Sequence, residues 1–115
     1  MTDNIRSFAK VKIEEMLLRL GFEPAIVVFR LSDKYEEIEC YKYSGLYCMI
    51  TFTRHSNTQG EFKEWVLIEY ADSLYHAEKN MFEDGDMIPL DMPIEQVVFE
   101  LERELLDVIK KHPKI

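Results

Sequence analysis

The chain has 115 residues, of which 47% are apolar and 31% charged, a composition typical of one globular domain and not of a disordered or disulfide-rich chain. Its 22 acidic and 14 basic residues give a formal net charge of −8. Because no cluster of bases interrupts this acidity, we exclude nucleic acid as a partner. No stretch reaches the ~20 apolar residues of a membrane span, and two cysteines do not make a secreted framework, so we expect a cytoplasmic protein without membrane contact.

The first predicted element is an amphipathic helix that ends at Gly21. Apolar residues recur on one of its faces at helical spacing: Ile5, Ala9, Ile13, Met16, Leu17 and Leu20. This period is typical of a surface helix with one face in the core, and glycine commonly follows a last helical turn. Pro24 then precedes the apolar run 25–31, whose length and β-branched residues favour a central strand.

Residues 35–53 are predicted to form a β-hairpin. A three-residue loop with Gly45 in the left-handed conformation sets Cys40 opposite Cys48 and keeps the apolar side chains on one face. A two-residue turn would set Cys40 opposite Met49 and mix the faces, so we predict the first register. Both thiols are then buried side by side, where a cross-strand disulfide is geometrically conceivable.

The rest of the chain predicts one more strand and a second long helix. A polar loop at 54–60 precedes a strand at 61–70, and the irregular segment 71–93 includes a short helix capped by Asp72 or Ser73. The last segment has the clearest apolar stripe of the chain: Ile94, Val97, Val98, Leu101, Leu105, Val108 and Ile109. We therefore predict a single α+β domain over 1–115, in which both long helices pack on one face of a four-stranded antiparallel meander.

The acidic loop 83–91 is the stretch most suggestive of a metal site. It places four carboxylates around Gly85: Glu83, Asp84, Asp86 and Asp91. An EF-hand reading fails, because Ile88 and Pro89 occupy positions that need an oxygen ligand and a glycine. A looser divalent site remains an alternative, but a solvated turn followed by a helix cap explains the same residues, and we favour it.

No other motif predicts catalysis. The three histidines, His55, His76 and His112, show no metal-ligand spacing. The chain also lacks a phosphate-binding glycine loop, a nucleophile motif and a dinucleotide fingerprint. We therefore predict a protein that is not an enzyme, with no catalytic residue, no metal ligand and no cofactor.

One predicted sheet face has the composition of an interaction surface. In the predicted register, alternation places Glu37, Glu39, Tyr41 and Tyr47 away from the helices, and pairing Phe52 with Phe62 adds Trp65 and Glu69. Aromatic residues rimmed by carboxylates are typical of protein interfaces. We predict Tyr41, Tyr47 and Trp65 as anchors, with Glu37, Glu39 and Glu69 steering the partner. Two alternatives remain: segment 71–93 covers this face, or a homodimer does.

These observations predict a small acidic protein-binding module whose partner is a basic or mixed-charge protein. In size and charge the chain is similar to the immunity proteins that neutralise bacterial toxins, which favours an inhibitor or antitoxin-like role by analogy. The alternatives are a small metal- or ligand-binding protein that uses loop 83–91 and a structural subunit of a larger assembly.

Overall fold

The structure, a computed structural model, describes the backbone of residues 2–56 and 58–111 and, within these ranges, every side chain except those of residues 2–4 and 31. The elements are α1 (Thr2–Leu20), β1 (Glu23–Leu31), β2 (Lys34–Tyr43), β3 (Leu46–Ser56), β4 (Phe62–Ala71), α2 (Leu74–Glu78), β5 (Glu83–Pro89) and α3 (Ile94–Lys111). The predicted α+β class is confirmed, with five strands instead of four. No helix in the described ranges is long and apolar enough to cross a membrane. His112 lies outside the described residues.

The strands form one antiparallel sheet in the order β1-β2-β3-β4-β5. The prediction that residues 25–31 form a central strand is therefore wrong, because these residues belong to β1, which lies at the edge of the sheet. Val27 is buried, whereas Ile26 and Val28 are exposed on the other face. An unbroken apolar run is typical of a strand that is buried on both faces. The run itself does not indicate whether another element of the fold packs on the second face.

The main core lies between one face of the sheet and the two long helices. It contains Ala9, Ile13, Met16, Leu17, Phe22, Leu46, Cys48, Val66, Ile68, Ile88, Val97, Leu101 and Leu105. The predicted apolar stripes of both helices supply most of this set, as amphipathic packing requires. Gly21 ends α1 with φ 104°, a conformation that favours glycine, and Arg19 forms an ion pair with Glu102 between the helices.

A second, smaller core lies on the opposite sheet face beneath α2. Ser73 caps this helix by accepting a hydrogen bond from the backbone N–H of His76 at 3.2 Å, as one of the two capping predictions expected. The buried residues of this core are Val27, Cys40, Tyr47, Ala71 and Ala77. The alternative in which segment 71–93 covers this face is thus confirmed for the part that lies under α2.

The predicted register of the β2–β3 hairpin is wrong. Tyr41 lies opposite Cys48, so the loop is the two-residue Ser44-Gly45 turn, with Ser44 at φ 53°. Cys48 therefore faces the main core, and Cys40 faces the second core. The pattern argument assumed that only one face is apolar, whereas here α2 covers the other face as well, so apolar residues on both faces are compatible with the shorter turn.

The two thiols are expected to be unreactive and unable to bridge in the native protein. Burial raises the pKa of both the Cys40 and the Cys48 thiol, so little thiolate forms at neutral pH. Because the side chains lie on opposite sheet faces, a disulfide would require backbone movement. Titration with a thiol reagent should detect both cysteines only after unfolding in urea. Rapid native labelling, or an intramolecular disulfide under mild oxidation, would contradict this arrangement.

Candidate functional site

The sheet opens into a gap between β2 and β3. Within the described part of the chain, these strands pair only at Tyr41↔Cys48, Lys42↔Tyr47 and Tyr43↔Leu46. Beyond them, residues 34–40 pair with β1 alone and residues 49–56 pair with β4 alone. The β1–β2 hairpin thus diverges from the rest of the sheet, and two strand edges without sheet partners border the gap.

A cavity of about 590 Å³ occupies this gap beneath α1. Ile13 and Leu17 of α1, Ile26 and Tyr41 of the hairpin, and Ile50 and Phe52 of β3 supply its apolar lining. Cys40, on the other face of the hairpin, also borders it, so the cavity extends between the strands. Its volume lies in the range of roughly 300–1,000 Å³ that is typical of ligand-binding clefts. We call this cavity the β2–β3 groove.

Glu14 and Tyr41 connect the helical wall of the groove to its floor. The Tyr41 hydroxyl donates a hydrogen bond to Glu14 Oε2. Burial, followed by this hydrogen bond, raises the pKa of Tyr41, so the phenol stays neutral and continues to donate. Lys10 and Glu39 also line the groove, which gives its wall two carboxylates and one ammonium group.

The hairpin continues beyond the groove as an exposed surface that is both apolar and acidic. In the β1–β2 register, Ile26 lies opposite Glu39 and Val28 lies opposite Glu37. Ile26 is 62% exposed and Val28 49% exposed, and both glutamates are exposed. We call these four residues the acidic hairpin face. Apolar side chains left uncovered beside a groove are typical of an interaction surface.

The residues predicted to contact a partner do not form one patch. Glu37, Glu39 and Tyr41 share the helix side of the sheet, whereas Tyr47, Trp65 and Glu69 share the other side. The shorter turn causes this division, because a shift of one residue moves every side chain of β2 to the opposite face. The predicted β3–β4 pairing is also wrong, since Phe52 lies opposite Val66 instead of Phe62. That shift is an even number of residues and leaves the faces unchanged.

The three residues on the far face have different surroundings. Tyr47 is buried in the second core, so its ring offers little surface to a partner. Trp65 is half-buried, and the Lys63 ammonium lies 4.9 Å from the centre of its ring. Glu69 accepts a hydrogen bond of 2.7 Å from Thr51 Oγ1. These contacts hold Trp65 and Glu69 in place without forming a concave site.

The predicted acidic loop is largely a strand. Glu83, Asp84 and Asp86 belong to β5, which pairs with β4 at the sheet edge. The backbone N–H of Asp86 donates to Glu104 Oε1 of α3 at 2.8 Å. Strand alternation separates neighbouring carboxylates, and within the described ranges no group of three His, Cys, Asp or Glu residues could hold a metal ion. The prediction of an irregular loop is therefore wrong over most of its length.

Glu104 brings a partly buried carboxylate to this edge. Among the described residues, its Oε2 and the Tyr70 hydroxyl are both buried, and they approach each other without the geometry of a full hydrogen bond. Burial raises the pKa of Glu104, and the hydrogen bond from the Asp86 backbone and the approach of the Tyr70 hydroxyl only partly offset this rise. Burial, followed by the charge of Glu104, raises the pKa of Tyr70. The ionised form of Glu104 is therefore disfavoured in the folded protein.

Glu104→Gln is expected to stabilise the protein at neutral pH by less than about 1 kcal/mol, because the amide retains an acceptor for Asp86 without a partly buried charge, and solvent screening reduces the gain. The folded pKa of Glu104 lies above the ordinary value of 4.5. The free-energy cost of ionising Glu104 in the folded protein is therefore absent below pH 4.5 and is present in full once the pH has risen through the folded pKa. Urea unfolding of both proteins should show a gap at neutral pH that closes on acidification. The same substitution at Glu100, on the same helix, should change stability by less than about 0.5 kcal/mol. A constant gap across this range would contradict the prediction.

Sequence reasoning missed Lys10 and Glu14 on α1 and the exposed pair Ile26 and Val28. The sequence signal for the exposed pair is weak, because an apolar run followed by a glutamate-rich strand is equally typical of a buried strand next to a solvent-exposed one. The fold defines an α+β domain, and the β2–β3 groove is one of several concave features in the described residues. Comparison of the chain with protein-family models, curated proteins and solved structures finds no match.

Proposed function

We propose that this chain is a small acidic protein-binding module that captures a basic protein partner at the β2–β3 groove and the adjoining acidic hairpin face. The observation that carries the proposal is the juxtaposition of exposed Ile26 and Val28 with exposed Glu37 and Glu39 on the helix side of the β1–β2 hairpin. Apolar contact supplies affinity, and carboxylates at the rim select a basic partner.

The charge of the whole molecule supports the same kind of partner. A net charge of −8 attracts a basic protein over a distance of about one Debye length, ~8 Å at physiological salt, and raises the rate of association. Glu37 and Glu39 then orient the partner, while Tyr41 and the apolar lining provide the contact area. We expect no partner contact at Tyr47, Trp65 or Glu69, because these residues lie on the other side of the sheet.

We also propose that capture neutralises the partner in the cytoplasm, as an inhibitor or antitoxin-like protein does, and that the chain catalyses no reaction. A neutraliser needs a preformed surface and rapid association, and an antiparallel sheet with two packed faces supplies a rigid support for such a surface. The similarity to immunity proteins in size and charge supports this role by analogy only.

The test compares two charge variants in partner capture. Glu37→Lys/Glu39→Lys reverses the acidic hairpin face, and Glu78→Lys/Asp84→Lys makes the same change in net charge at exposed positions elsewhere. Wild type and both variants are used to capture proteins from a lysate of the source organism at low and high salt. The captured protein is then purified, and its affinity for each form is measured by calorimetry.

A basic partner that is weakened by salt is expected, with affinity reduced on the order of tenfold or more by the hairpin variant and little changed by the control. Equal loss in both variants would mean that net charge alone drives binding. No effect of either variant on a captured partner would place the contact elsewhere. Both of these results would contradict the proposal.

A further inference from the structure

The free edge of β2 leaves a row of backbone groups available for pairing. Residues 34–40 hydrogen-bond to β1 on one side only, and on the other side they face the gap. An exposed strand edge is a template for another extended chain, and natural proteins usually block such edges. Here β3 diverges instead of blocking it, and Glu39 and Cys40 at one end of this edge line the β2–β3 groove.

We propose that the occupant of the groove is an extended segment of the partner, which pairs with β2 as an added strand and alternates basic and apolar residues. This inference rests on the proposed function and specifies the part of the partner that is bound. Strand addition of this kind takes affinity from main-chain hydrogen bonds and specificity from alternate side chains.

The side chains of β2 define the alternation. Glu37 and Glu39 project to the helix side of the sheet, and Ile38 and Cys40 project to the other side, where they belong to the second core. A residue directly opposite a glutamate on the same face is favoured when it is basic, and a residue opposite Ile38 or Cys40 is favoured when it is apolar. An added strand in this register therefore alternates lysine or arginine with apolar residues.

The same charges argue against a second copy of this chain as the occupant. If two copies paired through their β2 edges, Glu36, Glu37 and Glu39 of one would lie close to the same glutamates of the other. Like charges on paired strands are destabilising, and a β2 edge rich in glutamate is also a common protection against self-association. The glutamates along the β2 edge thus disfavour pairing with a second copy of this chain and favour pairing with a basic strand.

The test uses short capped peptides whose binding is followed by fluorescence anisotropy. The probe alternates lysine and valine, and a control alternates glutamate and valine. Two further probes carry N-methyl groups on every lysine or on every valine nitrogen. Successive N–H groups of a strand point to opposite sides, so only one of these two sets faces β2, and only that set is needed for pairing.

The lysine–valine peptide is expected to bind, and the glutamate–valine peptide is not. One N-methylated probe should bind on the order of tenfold more weakly or worse, while the other keeps most of its affinity. Glu37→Lys/Glu39→Lys should weaken the parent peptide about tenfold, and Glu78→Lys/Asp84→Lys should not. Backbone amides within 34–40 should become protected from hydrogen exchange when the parent peptide is bound.

Equal binding of both N-methylated probes would overturn strand addition and leave the charge-dependent capture of a basic partner intact. Failure of the lysine–valine peptide to bind would also overturn it, and the capture experiment with the two charge variants would then decide the proposed function separately. A dimer detected by light scattering that the peptide disrupts would identify a second copy as the occupant and overturn the choice of a partner segment.

Discussion

Gly85→Ala is expected to destabilise the protein by about 3 kcal/mol, because overpacking of a close contact forces the backbone to move. A Cβ atom at this position would lie 2.7 Å from the Ile68 carbonyl oxygen and 2.7 Å from Tyr70 Cε2, and it would also overlap Glu104 Oε1. The Ile68 oxygen belongs to the β4 backbone, next to the point where the β4–β5 register shifts, so rotation of a side chain cannot relieve that contact.

Urea unfolding measures this effect, and Gly45→Ala is the matched control. No heavy atom lies within 4 Å of a Cβ at Gly45, so its substitution should change the free energy of unfolding by less than about 1 kcal/mol. Adding Glu104→Ala to Gly85→Ala should recover only part of the loss, since the backbone contact remains. Full recovery would show that the flexible side chain, not the Ile68 carbonyl, limits the space.

Glu64→Gln is expected to lower stability at neutral pH by about 1.5 kcal/mol. Glu64 Oε2 accepts a hydrogen bond from Arg6 Nε of α1 and Oε1 accepts one from Arg54 Nε of β3, each at 2.7 Å. Only 10% of the Glu64 side chain is exposed, but both arginines are one-third or more exposed. Charge-assisted bonds are strong, and solvent screening reduces their contribution here.

The loss should depend on pH in a defined direction. Partial desolvation raises the pKa of Glu64, but hydrogen bonds from Arg54 and Arg6 outweigh it, and the net pKa is lowered from 4.5. The contribution is therefore present above 4.5 and disappears as pH falls through the lower folded pKa. Urea unfolding should show wild type and Glu64→Gln converging in acid. Glu15→Gln, at an exposed ion pair with Lys12, should change stability by less than about 0.5 kcal/mol at any pH. A Glu64→Gln loss that persists in acid would mean that shape and not charge is responsible.

Local sequence patterns predicted the elements in which side-chain spacing and caps are decisive. The apolar stripes of α1 and α3, the stop at Gly21 and the cap at Ser73 all appear in the structure. A helical period or a cap depends on neighbours within one or two turns, so the sequence contains the necessary information. The strand β5 was missed because a run of acidic residues around Gly85 has no apolar alternation, and its pairing comes from β4 and from Glu104.

The candidate site was predicted only in part, because its prediction depended on the length of the turn between β2 and β3. Glu37, Glu39 and Tyr41 were selected for their chemistry, but their face depended on whether the hairpin loop has two residues or three. The sequence rule for that choice assumed one apolar face, and α2 supplied a second. The gap between β2 and β3, the exposed positions of Ile26 and Val28 and the approach of Glu14 to Tyr41 have no local signal.

By itself the sequence determined the acidic charge, the α+β class and the two faces of the long helices, since each follows from composition or from spacing within an element. Only the tertiary structure decided which strand lies at the edge, which faces are covered and where the sheet opens. These features depend on contacts between residues far apart in the chain, and a shift of one residue at the Ser44-Gly45 turn is enough to exchange the buried and exposed sides of β2.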